Sequence, residues 1–516
     1  MMRRELIPYT SSRGLRAMPP ALGRRRTASC LRTALFLFLV TFVWLQLHVA
    51  SLGGRPVPDP PPDAQGNDSV AALLSMVPQG LHKYLTPRPR NASAAGNASD
   101  AAAAAAAGPA RAPLNISDIR RNIERYNEQQ SVLNEDAFGP LTNDSVVIVV
   151  QVHTRITYLR HLIVSLAQAR YIETVLLVIS HDVYDEELNE LVQSVDFCKV
   201  IQIFYPYSIQ THPHEFPGES PGDCPRNIQK EQARKLMCNN ALYPDLYGHY
   251  REAKFTQTKH HWWWKANRVF NQLEVTRNHT GLVLFLEEDH YVAEDFLHVL
   301  RLMQQTAHTS CVHCNILSLG SYLKTYNYYA DSKKKDGGPA VAQKAVGRRT
   351  SGNNVAPSWG FQVLPTLYQH YQKAEATPWI SSKHNMGMAF NRSTWEDIRR
   401  CADFFCTYDD YNWDWSLQHI SQGCLAHRLH AIVMKGPRVF HIGECGVHHK
   451  KANCESTAVI SKVQHVLKYA SKHLYPPRLT LTVTTTTKKQ KLRKGNGGWG
   501  DLRDHQLCVN MTRSVR

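Results

Sequence analysis

Glu287-Glu288-Asp289 follows the apolar run Gly281–Leu286 (GLVLFL) and is the first group whose residue types and spacing could do chemistry. Carboxylate oxygens suit a hard divalent cation such as Mg2+ or Mn2+, and two phosphates of a nucleotide would complete its shell. Acidic triplets are also common on solvated turns. The place directly after an apolar strand favours the metal reading, because a strand end puts the acids in a cleft. The adjacent His290 reads as a packed or solvent-facing histidine rather than a ligand.

A second cluster is Tyr408-Asp409-Asp410-Tyr411-Asn412-Trp413-Asp414-Trp415. Sugars lay their apolar faces on aromatic rings and give their hydroxyls to carboxylates. The alternative is an aromatic core patch with satisfying acids. Asp414, between Trp413 and Trp415, is expected in a dry environment, which would tune its carboxyl as a general base. Asp409 and Asp410 are its rivals, and they read equally well as hydrogen-bonding or capping acids. In the third run, Gln257 to Lys265, three consecutive tryptophans read as helix packing, while Lys259, His260 and His261 could face a phosphate.

The elements that must position these groups follow from hydrophobic periodicity. Ser145–Val152, Thr174–Ser180, Lys199–Phe204 and Gly281–Leu286 are continuous apolar runs of strand length. Tyr158–Ala169 and Glu186–Val195 carry helical periodicity between them. This alternation predicts an α/β domain with a mostly parallel, Rossmann-like sheet. Ligands of such sheets bind at the carboxyl ends of the strands. Those ends carry Gln151-Val152-His153-Thr154-Arg155, Ser180-His181-Asp182 and the acidic triplet.

The chain has 516 residues and a net charge of +17, which raises the question of nucleic acid. The basic excess is confined to 1–32, 332–378 and 488–494, and the rest is balanced. A polyanion partner is therefore not expected. Thr33–Ala50 is apolar and uncharged behind Arg24, Arg25, Arg26 and Arg32, which predicts an uncleaved anchor with its C-terminal side lumenal. The expected organisation is a cytosolic tail (1–32), an anchor (33–51), a disordered stem (52–115) and a lumenal domain (116–516). Within that domain 332–378, with its Lys and Gly runs, reads as a flexible surface insertion.

Sequons at Asn67, Asn91, Asn97, Asn115, Asn143, Asn278, Asn391 and Asn510 agree with a lumenal body. So do eleven cysteines beyond Cys30, which imply disulfides and one thiol left over. Zinc readings of Cys311-Val312-His313-Cys314 and of Cys445…Cys454 rank below disulfides in an oxidising compartment.

With these residues in place the chain resembles the N-acetylglucosaminyltransferase II family. The resemblance rests on QVHTR at 151–155, SHD at 180–182, FPGESPGDCPR at 216–226 and GHYREAKF at 248–255. QTKHHWWWK at 257–265, FLEEDHY at 285–291, HNMG at 384–387, CTYDDYNWDW at 406–415 and NGGWGDLRDHQLC at 496–508 extend it. It implies a GT-A fold, Mn2+ dependence and inverting transfer of N-acetylglucosamine from UDP-GlcNAc. The acceptor implied is the α1,6-arm mannose of an N-glycan already bearing GlcNAc on its α1,3 arm, on glycoproteins at the Golgi membrane.

By matching motifs, the resemblance gives Gln151, Val152, His153, Thr154, Arg155, Asp182, Gln257, Thr258, Lys259, His260 and His261 as donor positions. It gives Asp289 and His441 as metal ligands and Asp414 as the base. It implies the pairs Cys224–Cys238, Cys311–Cys314, Cys401–Cys424, Cys406–Cys508 and Cys445–Cys454, leaving Cys198 free. One donor-contacting arginine of the family is replaced near Tyr326, with Lys324 close by.

The rival classes are a glycoside hydrolase, which needs paired carboxylates but no metal-bearing triplet, and a non-catalytic lectin, which needs neither Asp289 nor Asp414. Within the transferases the rival is the enzyme of the α1,3 arm.

Overall fold

A computed structural model describes residues 74–86, 114–321, 367, 370–443, 456–483 and 494–513. The expected anchor, the cytosolic tail, Lys324, Tyr326, Cys445 and Cys454 lie outside them. Among the described residues no helix is long and apolar enough to cross a membrane.

The strands are β1 (Val147–Val152), β2 (Leu176–His181), β3 (Lys199–Phe204), β4 (Val283–Glu287), β5 (His290–Val292), β6 (Ile316–Ser318), β7 (Lys373–Pro378), β8 (Met388–Phe390), β9 (His430–Met434), β10 (Val439–His441) and β11 (Thr480–Val483). Nine form one mixed, mostly parallel sheet in the order β11-β7-β9-β6-β8-β4-β1-β2-β3. The expected parallel block is present: β1 pairs in parallel with β2 and β4, and β2 with β3. Every residue of β2 and β3 is buried, which is why these segments read as continuous apolar runs.

The helices that matter here are α1 (Ile116–Gln129), α2 (Ile156–Ala167), α3 (Glu186–Gln193), α4 (Ala253–Asn267), α5 (Phe296–Ser310), α6 (Arg392–Arg400), α7 (Ala402–Thr407), α8 (Trp413–Gly423), α9 (Ser456–Ala470) and α10 (Leu502–Arg513). Alternate strand residues face opposite layers. Ile148, Val150 and Val152 pack with Leu159 and Leu162 of α2, Leu188 of α3 and Phe296 of α5. Val147 and Val149 pack with Trp262, Trp263 and Trp264 of α4, Trp395 of α6, Phe405 of α7 and Met511 of α10. The three tryptophans are thus core. Disulfides Cys401–Cys424 and Cys406–Cys508 fasten this second layer, the latter joining α7 to α10. Cys224–Cys238 and Cys311–Cys314 are also paired, and Cys198 is a free, buried thiol.

Two expectations fail. The stem expected over 52–115 contains a docked piece: Val77 and Tyr84 are buried in the core cluster, with Leu81 and Leu85 packed against it. The mean composition of that stretch hid the apolar residues Val77, Leu81, Tyr84 and Leu85, which follow a helical i, i+4, i+7, i+8 pattern. The insertion expected over 332–378 lies mostly outside the described residues, but its last part is folded. Lys373–Pro378 is β7, antiparallel to β9, with Ala374 and Ala376 turned into the core. Two small alanines among polar residues carry little hydrophobic signal.

Candidate active site

Parallel pairing sets the site. Gln151 registers with Ser180 on one side and Glu287 on the other, so three strand ends finish together. β8 runs antiparallel to β4, pairing Met388 with Phe285. The loop that enters β8, including Ser382 and Asn385, is therefore at this same end of the sheet.

Asp289 lies in the turn between β4 and β5. The β5–β10 ribbon pairs His290 with His441 and brings His441 to it. His441 Nε2 is 3.2 Å from Asp289 Oδ2, and Arg155 Nη1 is 2.8 Å from the same oxygen. Burial would raise the Asp289 carboxyl, but the hydrogen bond and charge of His441 and the charge of Arg155 outweigh it. The group is held well below the usual carboxylate range. Its Oδ1 is buried with no hydrogen-bond partner among the described residues. A Cβ at Gly443 would sit 2.2 Å from Oδ2, so a side chain there would push the Asp289 carboxylate aside.

Ligand atoms of Glu287, Asp289 and His290 lie within 4.8 Å of one another. His290 is buried, and its Nδ1 accepts from the Glu287 N–H at 3.1 Å, so one nitrogen is already used. An ionised carboxylate with one unsatisfied buried oxygen, beside an imidazole, fits a hard divalent cation.

Glu288 serves the neighbouring loop. Its carboxylate accepts from the His153 N–H at 2.8 Å and from Arg155 Nε at 2.7 Å. Arg155 thus bridges Glu288 and Asp289 and partly neutralises the acid cluster. Gln151 Oε1 accepts from Lys265 Nζ at 2.6 Å. Lysine only donates, so this bond fixes which face of the amide points away. Val152 is buried in the core, and Thr154 sits on the turn into α2.

Asp182, just after β2, collects three of the expected residues. It is 2.6 Å from His153 Nδ1 through one oxygen. Through the other it accepts from Gln257 Nε2 at 2.9 Å, with His261 Nδ1 at 3.7 Å. Burial would raise its carboxyl, but the hydrogen bond to His153 and the nearby His261 imidazole outweigh this and hold it well below the ordinary range. The bond to Asp182 in turn raises the His153 imidazole. His261 Nε2 is also 2.8 Å from Ser180 Oγ, at the end of β2.

The rest of the Gln257–His261 run points elsewhere. Helical geometry sends positions four apart to one face and those between to another. Thr258 is exposed. Lys259, expected to face a phosphate, is buried and donates to the carbonyl oxygens of Tyr408 at 3.1 Å and Asp410 at 2.9 Å. His260 is buried against Asp504 at 2.9 Å. Both are turned toward α10 and the turn before α8.

Asp414 is in the first turn of α8 and is buried. Its Oδ2 accepts from the Ser382 N–H at 2.9 Å and from Asn385 Nδ2 at 3.4 Å. Burial pushes its carboxyl up to about 6. The rivals are spent on nearby amide groups. Asp409 accepts from the N–H groups of Leu246 and Trp499. Asp410 accepts from the N–H and Nδ2 of both Asn412 and Asn496. Trp413 offers no face to a sugar, because it stacks on Trp262 inside the core; Trp415 is half-buried.

A site of this kind holds a metal-competent acid, a basic and amide-rich wall, and a carboxyl pushed up toward neutrality at one sheet end. The family model for N-acetylglucosaminyltransferase II (MGAT2) matches residues 120–348 and 359–508. The alpha-1,6-mannosyl-glycoprotein 2-beta-N-acetylglucosaminyltransferase of Sus scrofa is 41% identical over 394 residues, covering 76% of this chain and 79% of that one. The Homo sapiens protein of that name is 40% identical with the same coverage, and the Arabidopsis thaliana one is 32% identical over 74% of this chain and 78% of its own. Among solved structures, core-mannan synthase A of Aspergillus fumigatus in its Mn/GDP form covers 64% of this chain and 85% of its own at 12% identity. Its TM-score of 0.26 is too low to carry weight. By the family match and these identities, the chain belongs to the N-acetylglucosaminyltransferase II family of glycosyltransferases.

Proposed function

We propose that the protein transfers N-acetylglucosamine from UDP-GlcNAc, in β1,2 linkage and with inversion, to the α1,6-arm mannose of N-glycans that carry GlcNAc on the α1,3 arm. The observation that carries this reading is the pairing, at one sheet end, of Asp289, which has an unsatisfied buried oxygen, with a buried Asp414 whose carboxyl is pushed up to about 6. The printed names of the relatives supply the α1,6-linked mannose and the 2-beta linkage.

In this reading the sheet is of GT-A type, and Asp289 and His441 would hold Mn2+. Such an ion, when bound, neutralises charge on the departing nucleotide. Gln151, His153, Arg155, Asp182 and Gln257 bind and orient the donor beside it. The anomeric carbon inverts once, so one in-line displacement suffices and no protein nucleophile is needed. Asp414 Oδ accepts the proton of the mannose 2-hydroxyl as the new bond forms, a contribution of roughly 10²–10⁴-fold. Its raised affinity for a proton makes it a better acceptor than an exposed aspartate. The surrounding buried groups exclude water that would compete for the sugar. The body is lumenal in the Golgi, anchored as a single-pass type II protein by the segment 33–51.

The test is purified protein with UDP-GlcNAc, Mn2+ and a glycan bearing GlcNAc on the α1,3 arm only. One N-acetylhexosamine should be added, β1,2-linked to the α1,6-arm mannose. Release of free sugar as the main product, or transfer confined to the α1,3 arm of an unsubstituted glycan, would overturn the reading.

A further inference from the structure

Lys259 sits in the middle of α4, and the surface it faces is not the donor wall. Gln257 and His261 of the same helix face Asp182. Lys259 instead reaches the turn between α7 and α8. Its Nζ donates to two carbonyl oxygens there, those of Tyr408 and Asp410. It also lies 4.0 Å from the ring centroid of Trp499 and 5.2 Å from that of Phe405. A buried ammonium is costly unless its donors are satisfied, and two carbonyls with aromatic faces supply that.

The bonds continue from that turn to Asp414. Asp410 ties the N–H and Nδ2 of Asn412 through one oxygen, and Asn496 through the other. Asn412 is the residue that opens α8, and Asp414 lies in the first turn behind it. About one helical turn beyond Lys259, Trp262 stacks on Trp413 with centroids 4.6 Å apart and planes 1° from parallel. α4 therefore grips the start of α8 at two points while its other face holds Asp182.

We propose that Lys259 is a positioning residue for Asp414, holding the turn that launches α8, and is not a contact to the donor. The proposal rests on the reading of Asp414 as the base. Sites of this kind tolerate little drift, and about 1 Å of misplacement can cost about 10²-fold.

The test is Lys259→Met and Lys259→Arg, measured for UDP binding with Mn2+ by calorimetry and for kcat and KM of both substrates, beside Asp414→Asn. Lys259→Met should bind UDP within about twofold of wild type, with kcat lower by about 10–100-fold, and Lys259→Arg should recover part of the loss. A UDP Kd and donor KM raised about tenfold or more at unchanged kcat would overturn the proposal. Should Lys259→Met not fold, Asn496→Ala loosens the same turn from its exposed side. It should lower kcat at least about threefold with the UDP Kd unchanged, and unchanged kcat would likewise overturn it. The two readings fail separately. Near-wild-type transfer by Asp414→Asn sinks the base assignment, whereas inactive Asp414→Asn beside fully active Lys259→Met sinks only the role of Lys259.

Discussion

The Tyr84 hydroxyl donates to Asp196 Oδ1 at 2.5 Å across 112 positions of chain. Lys83 pairs with the same carboxylate, and Arg160 of α2 donates to the Tyr84 carbonyl at 2.9 Å. Tyr84 is fully buried, with its ring edge-on to Phe197. A segment that composition assigns to a stem is therefore part of the folded body.

The consequence is a truncation effect. A chain starting at Leu114 should still fold but be less stable than one starting at 69, by about 2–5 kcal/mol for the lost aromatic and its neighbours. Thermal unfolding of the two forms checks this. Equal midpoints would show that the docked segment contributes nothing.

Asp289→Ala should remove a charged ligand from the metal site and lower turnover by about a thousandfold or more. His441→Ala should weaken metal binding more than it lowers turnover at saturating Mn2+. Titration of the metal against each variant separates the two effects. Full activity of the wild type in excess chelator would contradict the metal assignment.

The Asp414 carboxyl at about 6 makes an acid limb. Only the ionised form accepts the proton, so kcat should fall about tenfold per unit as pH drops below about 6. A pH–rate profile at saturating donor and metal reads this. A profile flat down to pH 5 would place the base elsewhere.

The same burial has a stability signature of fixed sign. The folded carboxyl sits at about 6 against 3.8 unfolded, so folding favours the protonated form. That stability is fully present below 3.8 and is lost as pH rises through about 6. Asp414→Asn removes the charge while keeping an acceptor for the Ser382 N–H. It should be more stable than wild type by about 1–3 kcal/mol at pH 7.5, with the gain vanishing toward pH 4. Denaturant unfolding at both pH values checks it.

What the sequence revealed and what it hid follow from the range of the interactions. β1 to β4 were legible because each is a long run buried on both faces, and their carboxyl ends located Gln151, Asp182 and Asp289. β6 and β8 span three residues each and are held by long-range pairing, so no local pattern marks them. The QTKHH run read as one group because a linear motif does not say which helix face each residue takes. The structure divides it between Asp182 and the turn before α8. Tryptophans beside an acid suggested a sugar platform, yet stacking on Trp262 makes Trp413 core. Ser382 holds Asp414 through a backbone N–H and carries no recognisable signature, and the HNMG string that contains Asn385 does not say that its side chain reaches Asp414.

Asp414 as the proton acceptor is the central claim, and Asp414→Asn tests it most directly. The variant keeps the shape of the site and cannot take the proton. With Mn2+ present it should bind UDP-GlcNAc with wild-type affinity by calorimetry, while transfer to the glycan falls by roughly 10²–10⁴-fold. Transfer at close to the wild-type rate, with donor binding intact, would contradict the account and move the search for the base away from α8.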